Sequence, residues 1–232
     1  MLAITPATYL EMVKTRFEEL GKPEVAEQQM RYMRNQFDFY GLKAPIWTPP
    51  TKEFLKEKGI FQGADLMTFV RLCYKEDHRE IHYFGTEMAQ RALKKEPAKF
   101  IYFLEEMILT KSWWDTVDWI AKLVNFHFKK YPELILPITE KWMASDNMWL
   151  QRTAITFQRY YKANTDSQLL FKYILQVADS KEFFIQKGAG WALRDYSKYN
   201  RNAVVDFVLA NDHLAPLTKR EALKWLKTRG LL

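Results

Sequence analysis

No stretch of this 232-residue chain alternates apolar and polar residues for long enough to make a half-buried strand. Apolar residues instead recur every three or four positions, in segments cut short by proline, glycine or a capping side chain. That spacing is the signature of amphipathic helices. Thr5-Pro6 opens a helix over 5–20 and Gly21 ends it. Pro23 starts a second that runs to about residue 39, with Met30, Met33 and Phe37 at helical spacing, before Gly41 and Pro45 break it. The span from Trp47 to Pro50 reads as a connector, after which Thr51 caps a short helix ending at Gly59. Helices follow at about 65–75, 78–94 and 97–110, then 113–130, where Ser112 and Asp115 form a capping box. Pro132 opens a helix to about residue 144 with a kink or break at Pro137, and another covers 148–161. Thr165 with Gln168, and Asp179 with Glu182, announce two more by the box pattern. Asn200 begins a shorter helix, and Thr218 with Glu221 caps the last, which Gly230 closes.

About a dozen modest helices with short connectors must close into a bundle or stack pair by pair. One internal echo favours stacking. Trp149-Leu150-Gln151-Arg152 recurs 42 residues on as Trp191-Ala192-Leu193-Arg194, within the spacing of about 40 to 47 residues of HEAT-type helical pairs. The expectation is therefore an all-α chain, a curved α-solenoid of HEAT-like repeats forming a single domain over 1–232. Such a stack offers a long face suited to an extended ligand.

Composition narrows the function. Hydrophobic residues at 48% exclude a disordered chain, and only 8 glycines leave few turns with which to reverse strands. Cys73 is the single cysteine, which excludes an internal disulfide framework and argues against a cysteine zinc site. His78, His82, His127 and His213 are scattered without ligand spacing, and no phosphate-binding or dinucleotide motif occurs, so no metal or cofactor is expected. The first twelve residues have no basic stretch followed by an apolar one, and no apolar run approaches a membrane span. An intracellular, cytoplasmic protein without membrane contact is expected. A net charge of +7 suits an anionic partner such as nucleic acid.

Candidate site residues come from the faces that the core stripes leave free. On the 113–130 helix Val117, Ile120, Ala121, Val124 and Phe128 form the stripe, with Trp114, Asp118, Lys122 and Asn125 beside it. Trp114 and Asp118 stand one turn apart, and an indole next to a carboxylate either packs or receives a cationic ligand. On the helix from 147, Leu150, Ala154, Phe157 and Tyr161 form the stripe, which leaves Arg152 and Arg159 pointing away from the core. The 181–197 helix buries Ile185, Ala189, Ala192 and Tyr196 and clusters Lys187, Trp191, Arg194 and Asp195 off that stripe. Lys219, Arg220, Lys224, Lys227 and Arg229 make the last helix densely basic, for phosphate contact or simple solvation. Lys94-Lys95 and Lys129-Lys130 read as solvated faces.

The segments Lys111-Ser112-Trp113-Trp114-Asp115-Thr116-Val117-Asp118, Trp149-Leu150-Gln151-Arg152-Thr153-Ala154-Ile155 and Gly190-Trp191-Ala192-Leu193-Arg194-Asp195-Tyr196 resemble the hallmark segments of the AlkD family of DNA alkylation-repair glycosylases. Tyr32-Met33-Arg34-Asn35-Gln36-Phe37, followed by Gly41 and Pro45, resembles its N-terminal segment. The resemblance implies a curved stack of HEAT-like repeats and a partner, double-stranded DNA containing alkylated purines, met by a monomer. It implies that Asp118 is the catalytic aspartate with Arg152 beside it, and that Trp114 and Trp191 contact the lesion. Arg159, Lys187, Arg194, Lys219, Arg220, Lys224 and Lys227 would then meet DNA. The implied reaction is hydrolysis of the N-glycosidic bond of an N3- or N7-alkylpurine, with the lesion left stacked rather than flipped into a deep pocket. Two other readings keep the same scaffold: a non-catalytic protein that binds damaged or branched DNA, and a protein-binding solenoid adaptor.

Overall fold

The computed structural model describes residues 4–232. The first three residues, part of the stretch read as carrying no secretory signal, lie outside the described residues. The described residues form thirteen α-helices joined by short 3-10 turns and connectors, and apart from one isolated bridge between Asp38 and His78 no strand pairing occurs among them. The all-helical expectation stands. No helix among these residues is long and apolar enough to cross a membrane.

The chain divides into two compact units, Met1–Phe103 and Leu104–Leu232. The first holds α1 (Pro6–Leu20), α2 (Pro23–Tyr32), α3 (Ala44–Glu57), α4 (Gly63–Lys75) and α5 (Arg79–Ala92), and the division falls within α6 (Phe100–Leu109). Thr5 caps α1 as its sequence requires, its hydroxyl oxygen accepting from the Thr8 N–H at 3.1 Å. Tyr9, Val13 and Phe17 then form a buried stripe, and the Tyr9 ring sits 5.2 Å from Phe69, 5.5 Å from Phe61 and 6.0 Å from Phe84.

Two expectations fail in this unit. The second helix stops at Tyr32 rather than near residue 39, because Arg34 and Asn35 both take left-handed backbone (φ 56° and 54°) and turn the chain back. Gly41, at φ 89°, then passes so close to α2 that a Cβ would stand 2.1 Å from the Lys22 carbonyl oxygen. The Tyr40, Gly41 and Leu42 N–H groups converge on the fully buried Glu80 carboxylate at 3.1, 3.0 and 2.9 Å. Burial pushes that carboxyl above its usual range despite these three donors. Second, the span from Trp47 to Pro50 is not a connector and Thr51 caps nothing. One helix runs through both prolines, and the Thr51 hydroxyl donates to the Trp47 carbonyl at 2.8 Å from within it. Pro45, in its first turn, gives up no intrahelical bond, whereas Pro49 and Pro50 lie inside the helix and leave the Pro45 and Ile46 carbonyls without their usual helical donors. Gly59, at φ 91°, follows its end as expected.

The second unit holds the rest of α6, then α7 (Trp114–Lys130), α8 (Ile135–Met143), α9 (Met148–Thr156), α10 (Ser167–Gln176), α11 (Phe183–Ser197), α12 (Arg201–Ala210) and α13 (Pro216–Thr228). Odd-numbered helices pack in succession: α7 on α9, α9 on α11, α11 on α13. Even-numbered ones form a second layer. Trp142 of α8 donates its indole N–H to Glu105 of α6 at 2.7 Å, Thr139 of α8 hydrogen-bonds Tyr173 of α10 at 2.7 Å, and Phe171 of α10 stacks on Phe207 of α12 at 4.1 Å. The 42-residue echo is thus one step along this two-layer stack, from α9 to α11.

Helix entries were read less well than helices. Asn200 does cap α12, accepting from the Ala203 N–H at 3.1 Å. The four capping boxes do not form. Ser112 donates to the Ile108 carbonyl at 2.6 Å, closing α6 instead of opening α7. Asp166, not Thr165, caps α10, while Thr165 donates to Lys162. Helix α11 begins at Phe183 with no side-chain cap, and Thr218 lies inside α13, donating to the Gln186 carbonyl of α11 at 3.1 Å. Each of these hydroxyls found a carbonyl nearer to hand, and a hydroxyl donates as readily as it accepts. Pro132 opens a short 3-10 turn, Pro132–Leu134, and α8 restarts after it, so Pro137 falls in a first turn that needs no N–H from it. After α9 the chain tightens into another 3-10 turn, Phe157–Tyr160.

Candidate active site

Three successive helices of one layer, α7, α9 and α11, bring the candidate residues together. Trp113, extended at φ −155°, precedes α7, and the Trp113 ring packs 6.0 Å from Trp149 and 5.3 Å from Phe184. The first of the two adjacent indoles is therefore structural, while Trp114 begins the helix one turn before Asp118, both half-buried. The carboxylate of Asp118 meets the guanidinium of Arg152 from α9 in a two-point contact, Nε to Oδ1 at 2.8 Å and Nη2 to Oδ2 at 2.9 Å. The third nitrogen, Nη1, donates to the Phe184 carbonyl.

Arg152 does not point away from the core: its side chain is 1% exposed, against 18% for Asp118. A helix inside a layer has neighbours on both flanks as well as beneath, so the face opposite Leu150 is covered by α7 and α11. Asn125, placed on a polar face by the same logic, is buried too and donates its amide to the Phe157 carbonyl at 2.8 Å. Room for the guanidinium comes from Gly188 of α11, where a Cβ would stand 2.8 Å from Arg152 Nη1.

Trp191 sits next to this pair. Four cations surround its ring among the described residues: Arg159 at 5.2 Å, Arg152 at 5.3 Å, and Lys187 and Arg194 at 5.9 Å each. Each is tied to an acid on a neighbouring helix. Arg159 donates to Asp195 at 2.7 Å, and Lys198 takes the other oxygen at 2.7 Å. Lys187 and Arg194 share Glu221 of α13 at 2.6 and 3.1 Å. Burial would raise both the Asp195 and Glu221 carboxyls. The Lys198 hydrogen bond and Arg159 charge outweigh it at Asp195, and Lys187 with Arg194 outweigh it at Glu221, so both are held below the usual carboxylate range.

The last helix divides. Lys219 turns back to Asp212, at 2.8 Å from its carbonyl, whereas Arg220, Lys224 and Lys227 stand exposed along one stripe of α13, apart from the ring of cations over Trp191. The sequence reading missed Glu221 as a clasp, taking it for half of a cap, and missed Gly188 and Gly190. Two glycines in mid-helix, in Gly188-Ala189-Gly190, were the available signal, since interior glycine weakens a helix unless something approaches closely.

The profile of the DNA alkylation repair enzyme family matches residues 13–226. The chain belongs to that family. Among solved structures it is similar to a predicted DNA alkylation repair enzyme from Enterococcus faecalis, at 30% identity and TM-score 0.84, covering 89% of this chain and 96% of that one. It also shares its fold with AlkD2 from Streptococcus mutans, at 16% identity and TM-score 0.65 over 95% of this chain and 99% of that one. The fold recurs in smu.31 from Streptococcus mutans UA159, at 19% identity and TM-score 0.58, covering 76% and 90%. No curated protein matches the chain. The helical-repeat architecture and the alkylation-repair assignment read from the motif segments agree with these findings.

Proposed function

We propose that this family member is a monofunctional DNA glycosylase that hydrolyses the N-glycosidic bond of cationic N3- or N7-alkylated purines, such as 3-methyladenine and 7-methylguanine, in duplex DNA. The observation that carries the reading is the contrast among the three carboxylates around Trp191. Asp118 meets a single cation, Arg152, which leaves its carboxylate room for a further partner, while Asp195 and Glu221 are each clasped by two cations and held ionised, so neither can lend a proton to a leaving group. A site with an open negative charge and no acid suits a base that leaves without protonation. An alkylated purine is such a base, because it carries a positive charge that bond cleavage neutralises.

Water then attacks C1′ as the bond to the purine nitrogen breaks, the bonding electrons go to the purine, and the water's proton goes to solvent. Asp118 has the two jobs of facing the oxocarbenium-like sugar with negative charge and orienting that water. A carboxylate accepts about four hydrogen bonds, and Arg152 takes one on each oxygen, which leaves a lone pair on each for these tasks. Trp114 and Trp191 line the sugar and base. The cations around Trp191 are drawn to the phosphates on either side, and with four of them already over its ring Trp191 serves better as a wall for the nucleotide than as a bare cation receptor. The test is base release from methylated duplex DNA by wild type and Asp118→Asn. Release by wild type and its loss in the variant support the proposal. Equal release by both removes Asp118 from the chemistry, and none from either leaves a binding protein.

A further inference from the structure

We propose that Glu221 is a positioning residue for DNA binding: its buried carboxylate gathers Lys187 and Arg194 into one phosphate-facing pair beside Trp191. This rests on the reading that the Trp191 face meets DNA, and nothing in the family motif segments includes Glu221.

Lys187 and Arg194 lie seven residues apart on α11, about 10 Å along the helix axis. Two long side chains from positions so far apart would ordinarily sample many rotamers and point to solvent separately. Here both converge on one carboxylate, Nζ at 2.6 Å and Nη1 at 3.1 Å, and both pass the Trp191 ring at 5.9 Å. The Glu221 side chain is 6% exposed, while those of Lys187 and Arg194 are 26% and 24% exposed, so the acid sits behind and the cations in front.

The position of the acid is built in. Gly190, one residue from Trp191, lets α13 approach so closely that a Cβ there would stand 2.5 Å from Glu221 Cβ and 2.9 Å from the Thr218 carbonyl oxygen. Thr218 pins the same turn to the Gln186 carbonyl at 3.1 Å. Charge points to the ligand class. One carboxylate against two cations leaves a single positive charge uncompensated in a partly desolvated cluster, which a phosphate diester would balance. Lys187 still has donors to offer beyond the one spent on Glu221, and so does the Arg194 fork. Ordering both side chains in advance removes a cost that phosphate binding would otherwise carry.

The experiment measures equilibrium binding to a labelled, undamaged DNA duplex for wild type, Glu221→Gln, the double variant Lys187→Met/Arg194→Met, and all three substitutions together. Glu221→Gln makes the protein more positive by one charge, so simple electrostatics predicts tighter binding, whereas loss of positioning predicts binding weaker by about tenfold. In the background lacking both cations the same substitution is expected to change affinity less than twofold, because non-additivity is what acting through them means. Binding by Glu221→Gln as tight as wild type, or losses that multiply in the combined variant, would overturn the proposal. Should Glu221→Gln fail to fold, Glu221→Asp keeps the charge but withdraws the carboxylate by one methylene, and is expected to bind several-fold more weakly; unchanged binding overturns the idea equally. Base release plays no part in these readouts, so failure of the glycosylase reading shows in the release assay alone. Wild type that binds no duplex would sink the DNA reading and this inference with it.

Discussion

Substituting Asp118 and Arg152 singly and together tests the central pair quantitatively. In Asp118→Asn the guanidinium, 1% exposed, loses its countercharge, and one of two short contacts becomes donor against donor. In Arg152→Met the carboxylate loses both bonds and the Phe184 carbonyl loses a donor. Removing one partner of a buried pair costs about 3–5 kcal/mol. Solvent reaches Asp118, at 18% exposed, so the lower end applies and each single variant should lose about 3 kcal/mol. Because neither charge is then stranded, the double variant should lose no more than about 4 kcal/mol, a coupling of about 2 kcal/mol. For a chain of this size 1 kcal/mol shifts Tm by about 2–4 °C, so each single variant should melt about 6–12 °C lower and the double variant little further. Thermal unfolding followed by circular dichroism reads this directly. Single-variant shifts under about 2 °C, or a double variant that falls by the sum of the two, would refute the reasoning. Base release compared well below these melting temperatures should fall at least about 100-fold in Asp118→Asn, the scale of losing one preorganised electrostatic group.

Four further outcomes are expected. Gly188→Ala places a methyl 2.8 Å from Arg152 Nη1 and should lower base release with a smaller loss of stability than Arg152→Met, read from the same two assays. Asp195 and Glu221 have folded pKa values below their unfolded ones of about 3.9 and 4.3, so the stability they contribute is complete above those values and is lost as pH falls through the folded ones. Urea midpoints should therefore drop below about pH 4, and Asp195→Asn should flatten the drop. Glu80→Ala strips the acceptor from three backbone N–H groups and should cost about 2–4 kcal/mol by urea titration; a loss under about 1 kcal/mol would show that water replaces the carboxylate. Lys224→Ala and Lys227→Ala should each lower the slope of log affinity against log salt by about 0.9 if they touch phosphates, and leave it unchanged if that stripe is only solvated.

What the sequence by itself determined is the helical spacing, two of the caps, the repeat and the family. Apolar spacing identified the helices, because intrahelical bonds and burial repeat every three to four positions. Val117, Ile120, Ala121, Val124 and Phe128 were recognisable as core from that spacing alone, and all five are buried. Thr5 and Asn200 were recognisable as caps because a cap bonds its own next turn. The 42-residue echo revealed the repeat, and the motif segments revealed the family. What only the tertiary structure decided is which charge meets which across helices. Arg152 and Arg194 hold the same place in the echo, yet one is buried on Asp118 of the preceding helix in its layer and the other rests on Glu221 of the following one. Trp149 and Trp191 are equally matched in sequence, yet one packs against Trp113 and Phe184 while the other stands among four cations. Periodicity marks the angle at which a side chain leaves its own helix, but burial depends on what occupies that direction. In a layered stack that is a helix far along the chain, 34 residues away for Arg152 and Asp118 and 27 for Arg194 and Glu221.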